Sequence, residues 1–278
     1  MFDDCKFNFG RNWGNNVNLT GYSHVSVWLG ECANYNQYWE GEMINAAKNA
    51  GVTPVIYAYV IAYIGKLTGL KDCDCGTPSH CTDGANIIRN KWSCIINRYK
   101  NYAQGIACDY SITNPTIWLI EPDYLQYSVT GSDISIHGKQ NGGGIPDADL
   151  GGKYFNEIVS AIKQYLPNAK IAVDISPWLN DKITTWYNNF DKGKVDYLFT
   201  SGGRTQGGNT RIRLDNNNNV TWAQASSAMG GKKIIADCGY GIGGVNEDDY
   251  EDWMNTTNVR NRMNEGVIGL TIHKQDSL

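Results

Sequence analysis

Eight short apolar runs, most of them followed by an amphipathic segment, set the main constraint on how this chain can fold. They span 5–10, 24–30, 53–63, 116–120, 170–174, 195–200, 233–237 and 267–273, with helical patterns at 38–50, 85–107, 153–166, 181–190, 222–229 and 248–265. Within 153–166, Phe155, Ile158, Val159, Ile162 and Leu166 recur at three- and four-residue spacing, which is helical amphipathicity. Strands that are apolar throughout and alternate with helices describe a parallel sheet covered on both faces. The expected fold is therefore α/β, a single (β/α)8 barrel domain over 1–278. The first two strands are joined only by "RNWGNNVNLTGYS", with no room for a regular helix, so a distorted or seven-stranded barrel is the alternative.

Composition narrows the partners. Net charge is −4 with no Lys/Arg block, which disfavours nucleic acid and anionic membrane. The longest apolar run, 52–64, holds three tyrosines and falls short of the roughly 18–20 residues of a membrane span. Tyr (17) and Trp (9) outnumber Phe (6), a bias towards aromatics with a polar edge that suits wet clefts. The eight cysteines suit disulfides in an oxidising compartment. Sequons at Asn18, Asn219 and Asn255 permit glycosylation. "MFDDCKF" has no apolar leader core, so the expectation is a mature secreted chain, monomeric and without cofactor.

In (β/α) barrels chemistry gathers where the strands end. Here several strands finish on acids, in "LIEPD", "AVDISPW" and "IIADCGYG". Glu121, Asp123, Asp174 and Asp237 would share one mouth. Carboxylates among aromatics suit glycoside hydrolysis, in which one acid protonates the leaving oxygen and a second carboxylate serves as base or nucleophile. Trp178, four residues after Asp174, is a candidate sugar platform, with Tyr59, Tyr63, Tyr124 and Tyr240 as further contacts and Arg204 as a polar one. Trp28 and Trp118 lie in strands and read as core.

"LIEPDYLQY" resembles the Ile-Glu-Pro-Asp-Ser-Leu segment of glycoside hydrolase family 6, inverting endoglucanases and cellobiohydrolases acting on β-1,4-glucan. Upstream, "LKDCDCG" at 70–76 is similar to that family's Arg-Asp-Cys loop, and "IIRNKWSCIINRYKNYAQGI" to its Tyr-Lys-x-Tyr helix. The resemblance implies that Asp123 is the general acid and that Asp72 influences its protonation. The family's Ser-x-Gly-Glu is replaced by "TPSHCTDG", and its late Lys-Pro-Gly-Gly segment is missing. That leaves the base to Asp174 or Asp237.

Two rivals remain. Retaining barrels place Glu-Pro at the end of strand four as acid/base with a glutamate at the end of strand seven. Glu121-Pro122 fits the first half, but the seventh strand ends in Asp237. A carbohydrate-binding barrel without catalysis would keep the aromatics alone. "DCDCGTPSHC" offers Cys73, Cys75, His80 and Cys81, but not the paired spacing of a zinc site, so disulfides are expected there and no metal. At least two disulfides are expected, and Cys94 and Cys108 could tether the long helix to that loop. The histidines His24, His80, His137 and His273 show no partner pattern.

Overall fold

The computed structural model describes residues 2, 5–14, 17–32, 34–110, 113–134, 138–200, 205–213, 219–238 and 247–273. Eight strands form the barrel: β1 (Asn8–Asn12), β2 (His24–Leu29), β3 (Thr53–Ala58), β4 (Ile117–Ile120), β5 (Lys170–Asp174), β6 (Tyr197–Phe199), β7 (Lys233–Cys238) and β8 (Val267–Ile272). Each pairs with the next in parallel, and β1 also pairs with β8, so the sheet closes. The irregular β1–β2 connection costs the barrel no strand. Gly10 stands opposite both His24 and Thr271.

Alternation along each strand makes two cores. Val25, Val27, Leu29, Ile56, Ala58, Trp118, Ile120, Ile171 and Val173 face the helices. Val55, Tyr57, Ile117, Leu119, Ala172, Tyr197, Phe199 and Ile235 fill the lumen. This is why the strands read as unbroken apolar runs, since both faces are buried. Phe2 packs edge-on against His24 and Tyr197, the first residues of β2 and β6, and so forms the floor of the lumen. His24 lies where a Cβ on Gly10 would stand, 2.1 Å from its ring, so glycine is what lets the imidazole fill that layer. Burial, then the nearby His273, lowers the His24 pKa to about 3. Its Nε2 lies 2.9 Å from Thr271 Oγ1.

Around the barrel run α1 (Glu40–Ala50), α2 (Val60–Leu67), α3 (His80–Tyr110), α4 (Val129–Ile134), α5 (Phe155–Lys163), α6 (Ile183–Tyr187), α7 (Trp222–Ala228), α8 (Glu247–Met254) and α9 (Thr256–Asn264). The amphipathic residues Phe155, Ile158, Val159, Ile162 and Leu166 are all buried. The apolar run 53–63, expected as one strand, is a strand to Ala58 and then the first turn of α2. Both halves are apolar because α2 is itself packed against α3. The expected helix 248–265 is two helices. Asn255 breaks it, its side chain accepting the backbone N–H groups of Thr257 and Asn258 as the N-cap of α9.

Among the described residues one disulfide is present, Cys73–Cys81, which fastens the loop after α2 to the start of α3. Cys94 and Cys108 are both exposed and unpaired on α3. With about 1.5 Å of rise per residue they stand about 21 Å apart along the axis and cannot meet each other.

Candidate active site

Strand alternation puts Asp174 and Asp237 into the lumen at the ends of β5 and β7. Asp237 is 1% exposed. The Tyr57 hydroxyl donates to its Oδ1 at 2.7 Å, and His273 Nε2 lies 3.5 Å from the same oxygen. Its Oδ2 is buried and makes no hydrogen bond among the described residues. The Asp237 backbone N–H donates to Thr200 Oγ1. Asp174 is 7% exposed and acts on the same tyrosine. Burial, then the Asp237 charge, with a smaller contribution from Asp174, holds the Tyr57 phenol far above its usual range.

At the end of β4 the chain turns sharply: Glu121 has φ +44°, an uncommon conformation for a residue with a Cβ. The turn carries the Glu121 side chain away from the lumen. Its Oε1 accepts the Ile61 backbone N–H of α2 at 2.9 Å and the Tyr99 hydroxyl of α3 at 2.7 Å. The residue is fully buried and its Oε2 makes no hydrogen bond among the described residues. Burial raises its pKa to about 8, against the opposing pull of the Tyr99 hydroxyl and the α2 amides. Desolvation outweighs hydrogen bonding here.

Asp123, two residues on, stands on the rim with its side chain 34% exposed. Its Oδ2 accepts a very short hydrogen bond from the Tyr59 hydroxyl and lies 2.9 Å from His80 Nε2. Asp72 does not meet Asp123 directly. It pairs with Lys66 at 2.9 Å and lies 3.9 Å from His80 Nδ1, with 45% of its side chain exposed. His80 therefore stands between the two aspartates that the sequence reading put side by side.

Trp28 links the two acid sites. Its indole stacks on Tyr57 (centroids 5.0 Å apart) and meets Tyr59 edge-on (5.6 Å). Tyr57 holds Asp237 and Tyr59 holds Asp123, so one indole lies against both supports.

The remaining candidates divide. Tyr63 is half-buried, edge-on to Tyr59, with Lys66 Nζ 4.7 Å from its ring centroid. Trp178 is partly buried against the outer core, and its backbone N–H donates to Ser176 Oγ. Tyr124 is buried, its hydroxyl given to Leu150 O, so it faces the packing around the barrel. Arg204, Tyr240 and His137 lie outside the described residues. Sulfurs and imidazole of Cys73, Cys81 and His80 sit within 4.8 Å of one another, but both sulfurs are spent on the disulfide. In this form the donor set does not fit a metal.

Sequence reasoning missed Tyr57, His80 as a partner of Asp123, His273, and Trp28 as more than core. The signal for Tyr57 and Trp28 was available in parity. Tyr57 shares a strand face with Val55, and Trp28 with His24 and Ser26, so both follow lumen positions towards the mouth.

No known family profile matches the chain, and no curated protein matches its sequence. Solved structures do match over nearly its whole length. Bacillus subtilis mannanase BCman shares 12% identity, with 97% of this chain and 80% of that one covered at a TM-score of 0.56. A GH10 endoxylanase retrieved from a sugarcane soil metagenome shares 9%, covering 98% and 87% at 0.57. Thermotoga maritima Cel5A in complex with cellobiose shares 12%, covering 97% and 90% at 0.54. The resemblance to glycoside hydrolase family 6 is corrected by these findings: the structural neighbours are GH10, mannanase and Cel5A barrels, and "LIEPD" is a short local likeness. At such low identity the neighbours establish the fold, an eight-stranded (β/α)8 barrel.

Proposed function

We propose that this chain is a secreted, monomeric glycoside hydrolase that cleaves β-1,4-glucosidic bonds in cellulose or a related β-glucan. The observation that carries this reading is the arrangement at the mouth: Asp123 and Asp237, each held by a tyrosine, with the indole of Trp28 against both tyrosines. Neighbours described as a mannanase, an endoxylanase and a cellobiose complex add support for a polysaccharide substrate. The Cys73–Cys81 disulfide supports an oxidising compartment.

In this scheme Asp123 delivers a proton to the leaving glycosidic oxygen, which keeps the electron pair of the broken bond. Asp237 takes a proton from the water that forms the new bond to the anomeric carbon. Its place inside the lumen, only 1% exposed, supports that role, because a carboxylate set below the rim would act on a sugar through an intervening water and not by direct contact. Water between base and sugar is the inverting geometry. Asp174, beside Tyr57, strengthens the negative field of the lumen and so favours positive charge developing on the sugar.

One observation favours a retaining scheme with Glu121 as acid/base, namely that its carboxyl keeps its proton to about pH 8. Against it stands the direction of the side chain, fully buried and bonded to α2 and α3.

The test is reducing-sugar release from soluble β-glucan, with product anomers followed by NMR. Asp123→Asn and Asp237→Asn should each lower kcat by a factor of about 100 or more while leaving KM nearly unchanged. Near-normal turnover in either variant would remove that residue from the mechanism. Retained products would make Asp237 a nucleophile. No hydrolysis by the native protein would leave a carbohydrate-binding barrel.

A further inference from the structure

The contacts of His80 decide how the rim acid holds its proton. His80 is 1% exposed, and its Nδ1 lies 3.2 Å from the carbonyl oxygen of Lys71. A carbonyl can only accept, so Nδ1 carries a hydrogen. In the neutral ring Nε2 is then a bare lone pair. Around that lone pair stand the Tyr59 hydroxyl at 2.6 Å, Asp123 Oδ2 at 2.9 Å and Cys73 Sγ at 3.0 Å. The sulfur is half of a disulfide and has no hydrogen to give.

The Tyr59 oxygen, the Asp123 oxygen and Nε2 are thus mutually within hydrogen-bond distance. If Asp123 were ionised and His80 neutral, these three atoms would hold one hydrogen between them, that of the tyrosine. A carboxylate lone pair would then face an imidazole lone pair at 2.9 Å. One further proton removes that conflict, whether it sits on Oδ2 or on Nε2.

We propose that Asp123, Tyr59 and His80 hold one transferable proton in common, and that His80 is the positioning residue that keeps this proton available to Asp123 as the acid of hydrolysis. The proposal rests on the glycosidase reading for its catalytic half only. On transfer, the proton passes to the leaving oxygen and the cluster is left one proton short. Solvent at the exposed edge of Asp123 then restores it.

Among the described residues, four side chains face the cluster. Asp72 faces Nδ1 and is itself paired with Lys66. Tyr127, from the turn after β4, meets the imidazole edge-on at 6.3 Å. Tyr63 lies against Tyr59, and Glu121 lies behind, raised partly by the charge of Asp123.

Because coupled groups titrate in steps that belong to the pair, the side-chain 15N signals of His80 and the 13Cγ signal of Asp123 should both respond at each step, with the same midpoints. The step that removes the shared proton should coincide with the alkaline limb of kcat/KM. Replacement of the imidazole (His80→Gln) should move that limb towards acid by about one pH unit and cut kcat at neutral pH roughly tenfold, with KM and acid-side activity preserved. The native-protein spectra keep the test valid if the variant does not fold. Signals that titrate independently, each residue with a midpoint of its own, or a neutral His80 with its hydrogen on Nε2, would overturn the shared proton. A common midpoint in a protein that cleaves no glycoside would overturn the catalytic half and the proposed function with it.

Discussion

Replacing Glu121 by glutamine should make the protein more stable, and increasingly so as pH rises. The wild-type carboxyl is fully buried, with a pKa raised from 4.5 to about 8 by desolvation. Below pH 4.5 both folded and unfolded chains hold the proton and no charge penalty arises. Above it the unfolded chain ionises first, so unfolding releases a proton and rising pH favours the unfolded state. The loss runs at about 1.4 kcal/mol per pH unit until the native carboxyl ionises near pH 8, then levels off. It amounts to about 3 kcal/mol at pH 7 and about 5 kcal/mol at pH 9. Glutamine keeps the oxygen that Ile61 N–H and the Tyr99 hydroxyl need, and its amide nitrogen replaces the protonated Oε2 with similar shape. Urea unfolding of both proteins between pH 4 and 9 is the assay. The curves should coincide at pH 4 and diverge by those amounts. Parallel curves would refute the reasoning, because they would mean that Glu121 ionises as readily folded as unfolded. The same variant addresses mechanism: turnover should stay within a few-fold of native, whereas loss by orders of magnitude would return the acid role to Glu121.

Asp72→Asn should change little. The Lys66 pair is half-exposed, and such pairs contribute about 0.2–1 kcal/mol; pH–rate profiles should show a far smaller displacement of the alkaline limb than His80→Gln. Opening the disulfide with Cys73→Ser and Cys81→Ser together should cost about 2–3 kcal/mol by chain entropy for so short a loop. The measurement is urea unfolding of the double variant beside native protein. Activity should fall further than stability explains, because the loop carries Lys71 O and Asp72 against His80.

The barrel was legible because its strands are buried on both faces, and burial on both faces writes an unbroken apolar run. The same property hid the change from β3 to α2 at Tyr59, since a helix packed under another helix is apolar too. The strand-end acids were legible as a set, but their directions were not. Parity points Glu121 into the lumen, and a single positive φ turns it under α2 and α3. The relation of Asp72 to Asp123 was read as two carboxylates side by side. In the fold a histidine, brought in by the Cys73–Cys81 link and the start of α3, stands between them. Nothing in the spacing of "DCDCGTPSHC" reports that, because the partner lies 43 residues further on.

Phe2 closes the packed lumen from below. Water therefore comes to the strand-end acids from the rim and not through the barrel. A glucan lying across the rim would become the lid over whatever water already rests against Asp237, and no replacement could rise from beneath. Events at the mouth would then be ordered in time: water settles first, the chain lies down second, and fresh water reaches the acids only after product has lifted away. A single ring near the amino terminus, at the opposite end of the lumen from the strand-end acids, would thus act as the valve seat of the catalytic cycle.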